Sequence, residues 1–138
     1  MVPYRTCLAL ALVAGALLGT ASARADTEIA GVGAAAPDFT LQTHDGKSLT
    51  LGDLKSKRGA VLVFFATWCP SCMEEVPAMK RFVEANRDKN VLVYGVNLKQ
   101  PPEVVQKFVQ DREINYRILL DAEGKVTEQY DVTGIPDI

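Results

Sequence analysis

Phe64-Phe65-Ala66-Thr67-Trp68-Cys69-Pro70-Ser71-Cys72 joins an apolar run of strand length to two cysteines with two residues between them. With Val61, Leu62 and Val63 ahead of the aromatic pair, Ala60 to Ala66 reads as a central strand covered on both faces. Pro70 suits the first turn of a helix, where its missing N–H costs nothing. Both cysteines then fall in that first turn, and their spacing places the two sulfurs on one face, within bonding reach. Unpaired N–H groups and the positive end of the helix dipole favour a thiolate at Cys69. The pair is therefore suited to thiol–disulfide exchange.

The chain has 138 residues, 48% of them apolar, and a formal net charge of -2, which fits one globular domain. Nothing in that charge points to nucleic acid or to acidic lipid as a partner. At the N-terminus Arg5 precedes an apolar segment from Cys7 to Gly19, followed by Thr20-Ala21-Ser22-Ala23-Arg24-Ala25. The segment is short for a bilayer and ends in small residues, so residues 1–25 read as a secretory signal peptide. Cleavage after Ala25 is preferred to cleavage after Ala23, and an uncleaved anchor is the alternative. The expected location is periplasmic or secreted, with membrane contact only if the signal stays attached. Cys7 precedes the apolar run, which argues against lipid attachment, and it leaves with the signal.

The mature chain keeps Cys69 and Cys72. A structural bridge closing so short a loop would stabilise little, so a redox role is favoured. One CxxC with the lone His44 far away offers too few ligands for zinc, and no metal or separate cofactor is expected beyond a redox-active Cys69–Cys72 disulfide.

Residues 26–36 are small and Gly-rich, a flexible lead-in to a domain at 37–138. Phe39 to Gln42 and Ser48 to Leu51 alternate apolar with polar around Asp45-Gly46, which predicts a hairpin with His44 as a solvated turn residue. Gly52 to Arg58 is a short polar helix or turn. The helix opened by Cys69 continues to about Arg87, burying Met73, Val76, Met79 and Val83, with Pro77 bending it. Val91 to Val96 forms a second buried strand. A helix from Pro102 to about Arg112 presents Val104, Val105, Phe108 and Val109 to the sheet. Tyr116 to Leu120 is a short strand, and Val126 to Tyr130 one or two helical turns. Strands alternating with helices predict an α/β sheet.

These residues resemble the thioredoxin superfamily, and within it the TlpA/ResA-like extracytoplasmic thiol-disulfide oxidoreductases. Ala36-Pro37-Asp38-Phe39-Thr40-Leu41 with Asp45-Gly46, the run Phe65 to Cys72, Glu75-x-Pro77, and Gly134-Ile135-Pro136 carry the likeness. It implies a thioredoxin-like fold with an N-terminal β-hairpin extension and a central sheet flanked by helices. It implies further that Cys69 is the exposed attacking sulfur and Cys72 the shielded resolving one, acting through a mixed disulfide. Pro136 would be a cis-proline that brings backbone beside the sulfurs as a strand edge for an incoming peptide, an ordinary trans turn proline being the alternative, with Ile135 supporting the site. Trp68 would shield the site and present a flat apolar surface to the partner, unless it is a core tryptophan. Glu75, one turn beyond Cys72, would take its proton or raise a thiol pKa by repulsion, unless it is a solvated surface residue. Pro70 and Ser71, between the cysteines, do not settle redox direction.

Two departures follow. Thioredoxin carries a buried Asp six residues before its first cysteine, where this chain has Val63, which adds weight to Glu75. The family also continues past its Gly-x-Pro with a β-hairpin and a helix, whereas this sequence stops at Asp137-Ile138; the expectation is a fragment lacking the last two strands and final helix, poorly stable or associating alone. The resemblance implies a protein-disulfide reductase, for example of apocytochrome c before haem attachment. Its partners would be proteins with cysteines or disulfides and a transmembrane thiol electron donor. A DsbA-like oxidant and a non-catalytic binding module are the alternatives. A peroxiredoxin-type peroxidase needs Thr three residues before its cysteine and Pro four before that Thr. Counting back gives Ala66 and Leu62 from Cys69, and Cys69 and Phe65 from Cys72, so the spacing rejects it.

Overall fold

The computed structural model describes residues 31–55 and 57–138. The predicted signal at 1–25 and the first part of the 26–36 lead-in lie outside the described residues. Among the described residues five strands form one mixed sheet: β1 (Thr40–Thr43), β2 (Ser48–Thr50), β3 (Gly59–Phe65), β4 (Val91–Leu98) and β5 (Arg117–Asp121). Their order is β2-β1-β5-β4-β3, with β3, β4 and β5 parallel and the β1–β2 hairpin antiparallel beside β5. The expected N-terminal hairpin is present and joins the sheet edge-on. Gln42 pairs with Leu120 and Thr43 with Leu119, which makes it part of the main sheet.

Helices α1 (Leu51–Leu54), α2 (Pro70–Ala85) and α3 (Pro102–Asp111) connect the strands, with a 3-10 turn at Arg87–Lys89 after α2, and α4 (Lys125–Gln129) follows β5. Short as it is, α1 has a full capping box: Thr50 Oγ1 accepts from the Asp53 N–H, and the Asp53 carboxylate accepts from the Thr50 N–H. The last element, α4, is capped from a distance by buried Asp121, which accepts from the Thr127 N–H at 2.8 Å and its hydroxyl at 2.7 Å.

Strand alternation divides the core in two. Phe64, Tyr94, Val96 and Leu119 pack with Phe39, Leu49, Leu54 and Val126 on one face. Phe65 and Ile118 pack with Val76 of α2 and Val105 and Phe108 of α3 on the other, and both cysteines belong to this second cluster. Ile135 touches both. Gly95 opens toward the second face, where a side chain would collide with Ile118 Cδ1 at 2.6 Å and the Phe65 ring at 2.9 Å. The absence of a Cβ there lets Phe65 and Ile118 close over the sheet.

Two sequence expectations change. Although Phe64 and Phe65 are buried on opposite faces, β3 is the outermost strand of the described sheet and not its centre; β4 pairs it on one side, and on the other a single antiparallel bridge joins Phe64 to Asp137. Period and hydrophobicity report facial burial but not lateral neighbours, which is why the strand read as central. An apolar groove of ≈ 870 Å³ runs along this side, lined in part by Leu51, Leu54, Val61, Leu62, Phe64 and Ile138. In α3, Val104 is exposed while Val105 and Phe108 are buried, because the helix turns its narrower 105–108 stripe to the sheet.

Candidate active site

Parallel pairing brings the C-terminal ends of β3 and β4 together, with Phe65 beside Asn97. The chain leaving β3 turns at once: the Cys69 N–H donates to the Ala66 carbonyl at 3.1 Å, making Thr67 and Trp68 the middle of a tight turn. Cys69 is not inside the helix but is its N-cap, in extended conformation, with Pro70 opening α2. Its carbonyl accepts the Met73 N–H at 3.2 Å, and its Sγ accepts the Cys72 N–H at 3.2 Å. The sulfur thereby fills the role usually held by a capping oxygen.

Cys69 and Cys72 form a disulfide with Cα atoms 5.3 Å apart. The expected difference in exposure between them does not exist in this bridged form: Cys69 is 4% exposed and Cys72 3%. Cys69 Sγ is enclosed by its partner sulfur, by Ser71 Oγ at 3.5 Å and by the Ile135 carbonyl oxygen at 3.8 Å. The peptide bond between Ile135 and Pro136 is cis. Paired hydrogen bonds between the Phe64 and Asp137 backbones, 2.8 and 3.2 Å, hold this segment beside the cysteines.

Trp68 is 68% exposed, which removes the core alternative and leaves an open indole face next to the disulfide. Glu75 is half-buried, and its Oε2 is enclosed without a hydrogen-bond partner among the described residues. It shares with Cys72, Tyr116 and Pro136 a cavity of ≈ 10 Å³, about the smallest that admits one water molecule. Glu75, Cys72 and the cis-proline therefore line one small space. Burial of the neighbouring Tyr116 pushes its phenol up to about 12.

His44 is placed differently from its expected role. It is half-buried, its N–H donates to the Ile118 carbonyl at 2.8 Å, and its Nδ1 accepts from the Ile118 N–H at 3.1 Å. The imidazole prolongs the pairing of β1 with β5 and is engaged with the Ile118 backbone, not with the cysteines.

Sequence reasoning missed Asn97 and Gln100. The Gln100 Oε1 accepts the Thr67 N–H at 2.7 Å and Asn97 Nδ2 at 2.9 Å, while its Nε2 donates to Thr67 Oγ1 at 2.8 Å. The one available signal was an amide in an apolar strand followed by an amide ahead of two prolines.

A mixed sheet with a CxxC disulfide at the mouth of a flanking helix defines a thioredoxin-like α/β protein. The chain belongs to the AhpC/TSA family, whose model matches residues 32–137. It is 32% identical over 138 residues to the thiol-disulfide oxidoreductase ResA of Oceanobacillus iheyensis, covering 96% of this chain and 71% of that one. To ResA of Bacillus subtilis it is 34% identical over 104 residues, covering 75% of this chain and 58% of the relative, so it spans less than two thirds of that protein's length. Among solved structures it is similar to a secreted Mycobacterium tuberculosis disulfide oxidoreductase homologous to E. coli DsbE, with TM-score 0.64, 32% identity and 71% of each chain covered. StoA from Bacillus subtilis superposes with TM-score 0.61 at 28% identity, over 75% of this chain and 78% of that one. Among the described residues no helix is long and apolar enough to cross a membrane.

Proposed function

We propose that this chain is a thiol-disulfide oxidoreductase that acts outside the cytoplasm and reduces disulfides in proteins, with apocytochrome c awaiting haem as one fitting substrate. The observation that carries this reading is the Cys72 N–H aimed at Cys69 Sγ from a helix N-terminus, because the same donor would stabilise a Cys69 thiolate once the bridge is opened. The similarity to named thiol-disulfide oxidoreductases supports it. The secreted neighbour and the signal-like N-terminus support the location.

In the reductive direction the Cys69 thiolate attacks one sulfur of a substrate disulfide, and the other leaves as a thiolate that takes up a proton. Cys72 then gives up its proton, with Glu75 across the shared cavity as the acceptor, and attacks Cys69 Sγ. The second substrate sulfur leaves as a thiolate and takes up the proton held by Glu75, two electrons have passed to the substrate, and the Cys69–Cys72 disulfide is restored. A dithiol donor, here a transmembrane thiol protein, must then reduce it again. Trp68 offers the partner an apolar platform, and the backbone of Ile135 and Pro136 offers an extended segment beside the sulfurs.

Reduction of insulin disulfides recycled by dithiothreitol tests the reaction: the wild type should accelerate it and Cys69→Ala should not. The reduction potential decides direction. A value near about -270 mV supports the reductant, and one near about -120 mV assigns the chain to the oxidants instead.

A further inference from the structure

We propose that Gln100 is a positioning residue for Cys69: its side-chain amide grips the turn ahead of the cysteine and so keeps the sulfur in line with the Cys72 N–H. This deepens the thiol-disulfide reading above and rests on it.

Gln100 engages two polar groups of Thr67, accepting from the backbone N–H at 2.7 Å and donating to the hydroxyl oxygen at 2.8 Å. Thr67 is the second residue of the turn closed by the Cys69 N–H and the Ala66 carbonyl, so a two-point grip on it limits how that turn can rock. Cys69, as the next fixed point, caps α2 through a sulfur hydrogen bond whose length depends on where the turn delivers Cβ. Orientation of the amide is unambiguous, since Oε1 faces two donors and Nε2 faces the hydroxyl.

The clamp is itself held rigidly. Gln100 precedes Pro101 and Pro102, which confine its own backbone to the extended region and fix the φ of the next two residues. The Pro101 carbonyl accepts the Val104 and Val105 N–H groups at 3.1 and 3.3 Å, so α3 starts immediately beyond. On the other side Lys99 adopts φ +51°, and its N–H donates to the Asp121 carbonyl at 3.1 Å. Both ends of the segment are thus anchored, one on α3 and one on β5.

Asn97 gives a second, independent observation. It is 1% exposed, donates from Nδ2 to Gln100 Oε1 at 2.9 Å, and has its Oδ1 buried with no partner among the described residues. Burying an amide with an unmet acceptor is costly where an aliphatic side chain would pack freely. Its contact that does something is the one that orients Gln100.

The test is made on the full chain in its reduced state, by mass-resolved iodoacetamide labelling of Cys69 against pH, together with the reduction potential of the pair. Gln100→Met keeps the length and apolar stem but removes every hydrogen bond. The labelling midpoint should rise by about half a pH unit or more, the size expected for weakening one hydrogen bond to the thiolate. The potential should become more negative, because the dithiol form loses stabilisation. Thr67→Ser, which retains the hydroxyl, should leave both readouts at wild-type values. Should Gln100→Met fail to fold, Thr67→Val removes one of the two grips and should move the midpoint the same way by a smaller step.

An unchanged midpoint and potential in a folded Gln100→Met or Thr67→Val, even with a lowered Tm, would assign the clamp to stability alone and overturn the proposal. Labelling needs no disulfide substrate. If the wild type does not reduce insulin, the functional reading fails, yet the labelling midpoints still decide the role of Gln100.

Discussion

The backbone N–H of Cys72 donates to the Sγ of Cys69 across 3.2 Å, placing sulfur where a helix cap ordinarily holds oxygen. One hydrogen bond thus ties the stability of α2 to the charge state of the outer cysteine. On the mechanism proposed above, the same N–H would act on the Cys69 sulfur of the reduced protein, with the helix dipole behind it.

Cys69→Ser and Cys69→Ala should both abolish disulfide exchange but differ in stability. Serine keeps a side-chain acceptor at the N-cap and alanine has none, so the serine variant should be the more stable by about 1 kcal/mol. Urea denaturation of the two variants measures the difference, and equal midpoints would separate the cap from α2 stability.

On the proposed mechanism Cys72→Ser leaves the attacking sulfur and removes the resolving one. A mixed disulfide between Cys69 and a disulfide-bonded substrate should accumulate and be visible as an adduct by intact mass. Rapid release of substrate from that variant would mean that Cys72 does not resolve the intermediate.

Glu75→Gln keeps the shape of a side chain that shares its small cavity with Cys72 but cannot accept a proton. Decay of a preformed Cys69 mixed disulfide at neutral pH should slow by about 10²-fold, the usual scale for losing a positioned base. Formation of that intermediate, which depends on Cys69, should change far less. Stopped-flow measurement of the two phases separates them.

Tyr116, raised from 10.0 to about 12 by burial, makes stability fall at alkaline pH. The folded state keeps a phenolic proton that the unfolded chain releases above pH 10, so its contribution is complete below about pH 10 and is lost as pH climbs toward about 12. The loss is at most about 3 kcal/mol for a shift of that size. Tyr130, raised by burial and by the nearby Asp38 carboxylate, acts in the same direction. Tyr116→Phe should flatten much of the decline in urea midpoint between pH 9 and 12, and an unaltered profile would place the loss elsewhere.

Gly95→Ala should destabilise the fold by about 1–3 kcal/mol, since the new methyl would meet both Ile118 and the Phe65 ring inside the second core cluster. Chemical denaturation checks this. A neutral substitution would show that Phe65 can yield, and with it the strand end that carries the active-site turn.

Much of this was legible in the residues alone. Apolar runs at 61–65 and 91–96, the 3.6-residue pattern after Pro70, and the turn at Asp45-Gly46 are local signals, because period and turn chemistry act between residues close in the chain. The same locality located the cysteine pair, since three residues of one helical turn decide whether two sulfurs can meet. Lateral strand order, by contrast, depends on pairing between distant segments, so β3 read as central when it is outermost in the described sheet, and nothing local showed that the hairpin would pair with β5. His44 looked solvated for the same reason: its partner, Ile118, lies 74 positions away. Tertiary structure alone could also bring Gln100 onto Thr67, 33 positions apart, and close Glu75 into the cavity behind Cys72. A local sequence determines which atoms can react; only the packing of remote segments decides which dipoles, carboxylates and proline backbone surround them.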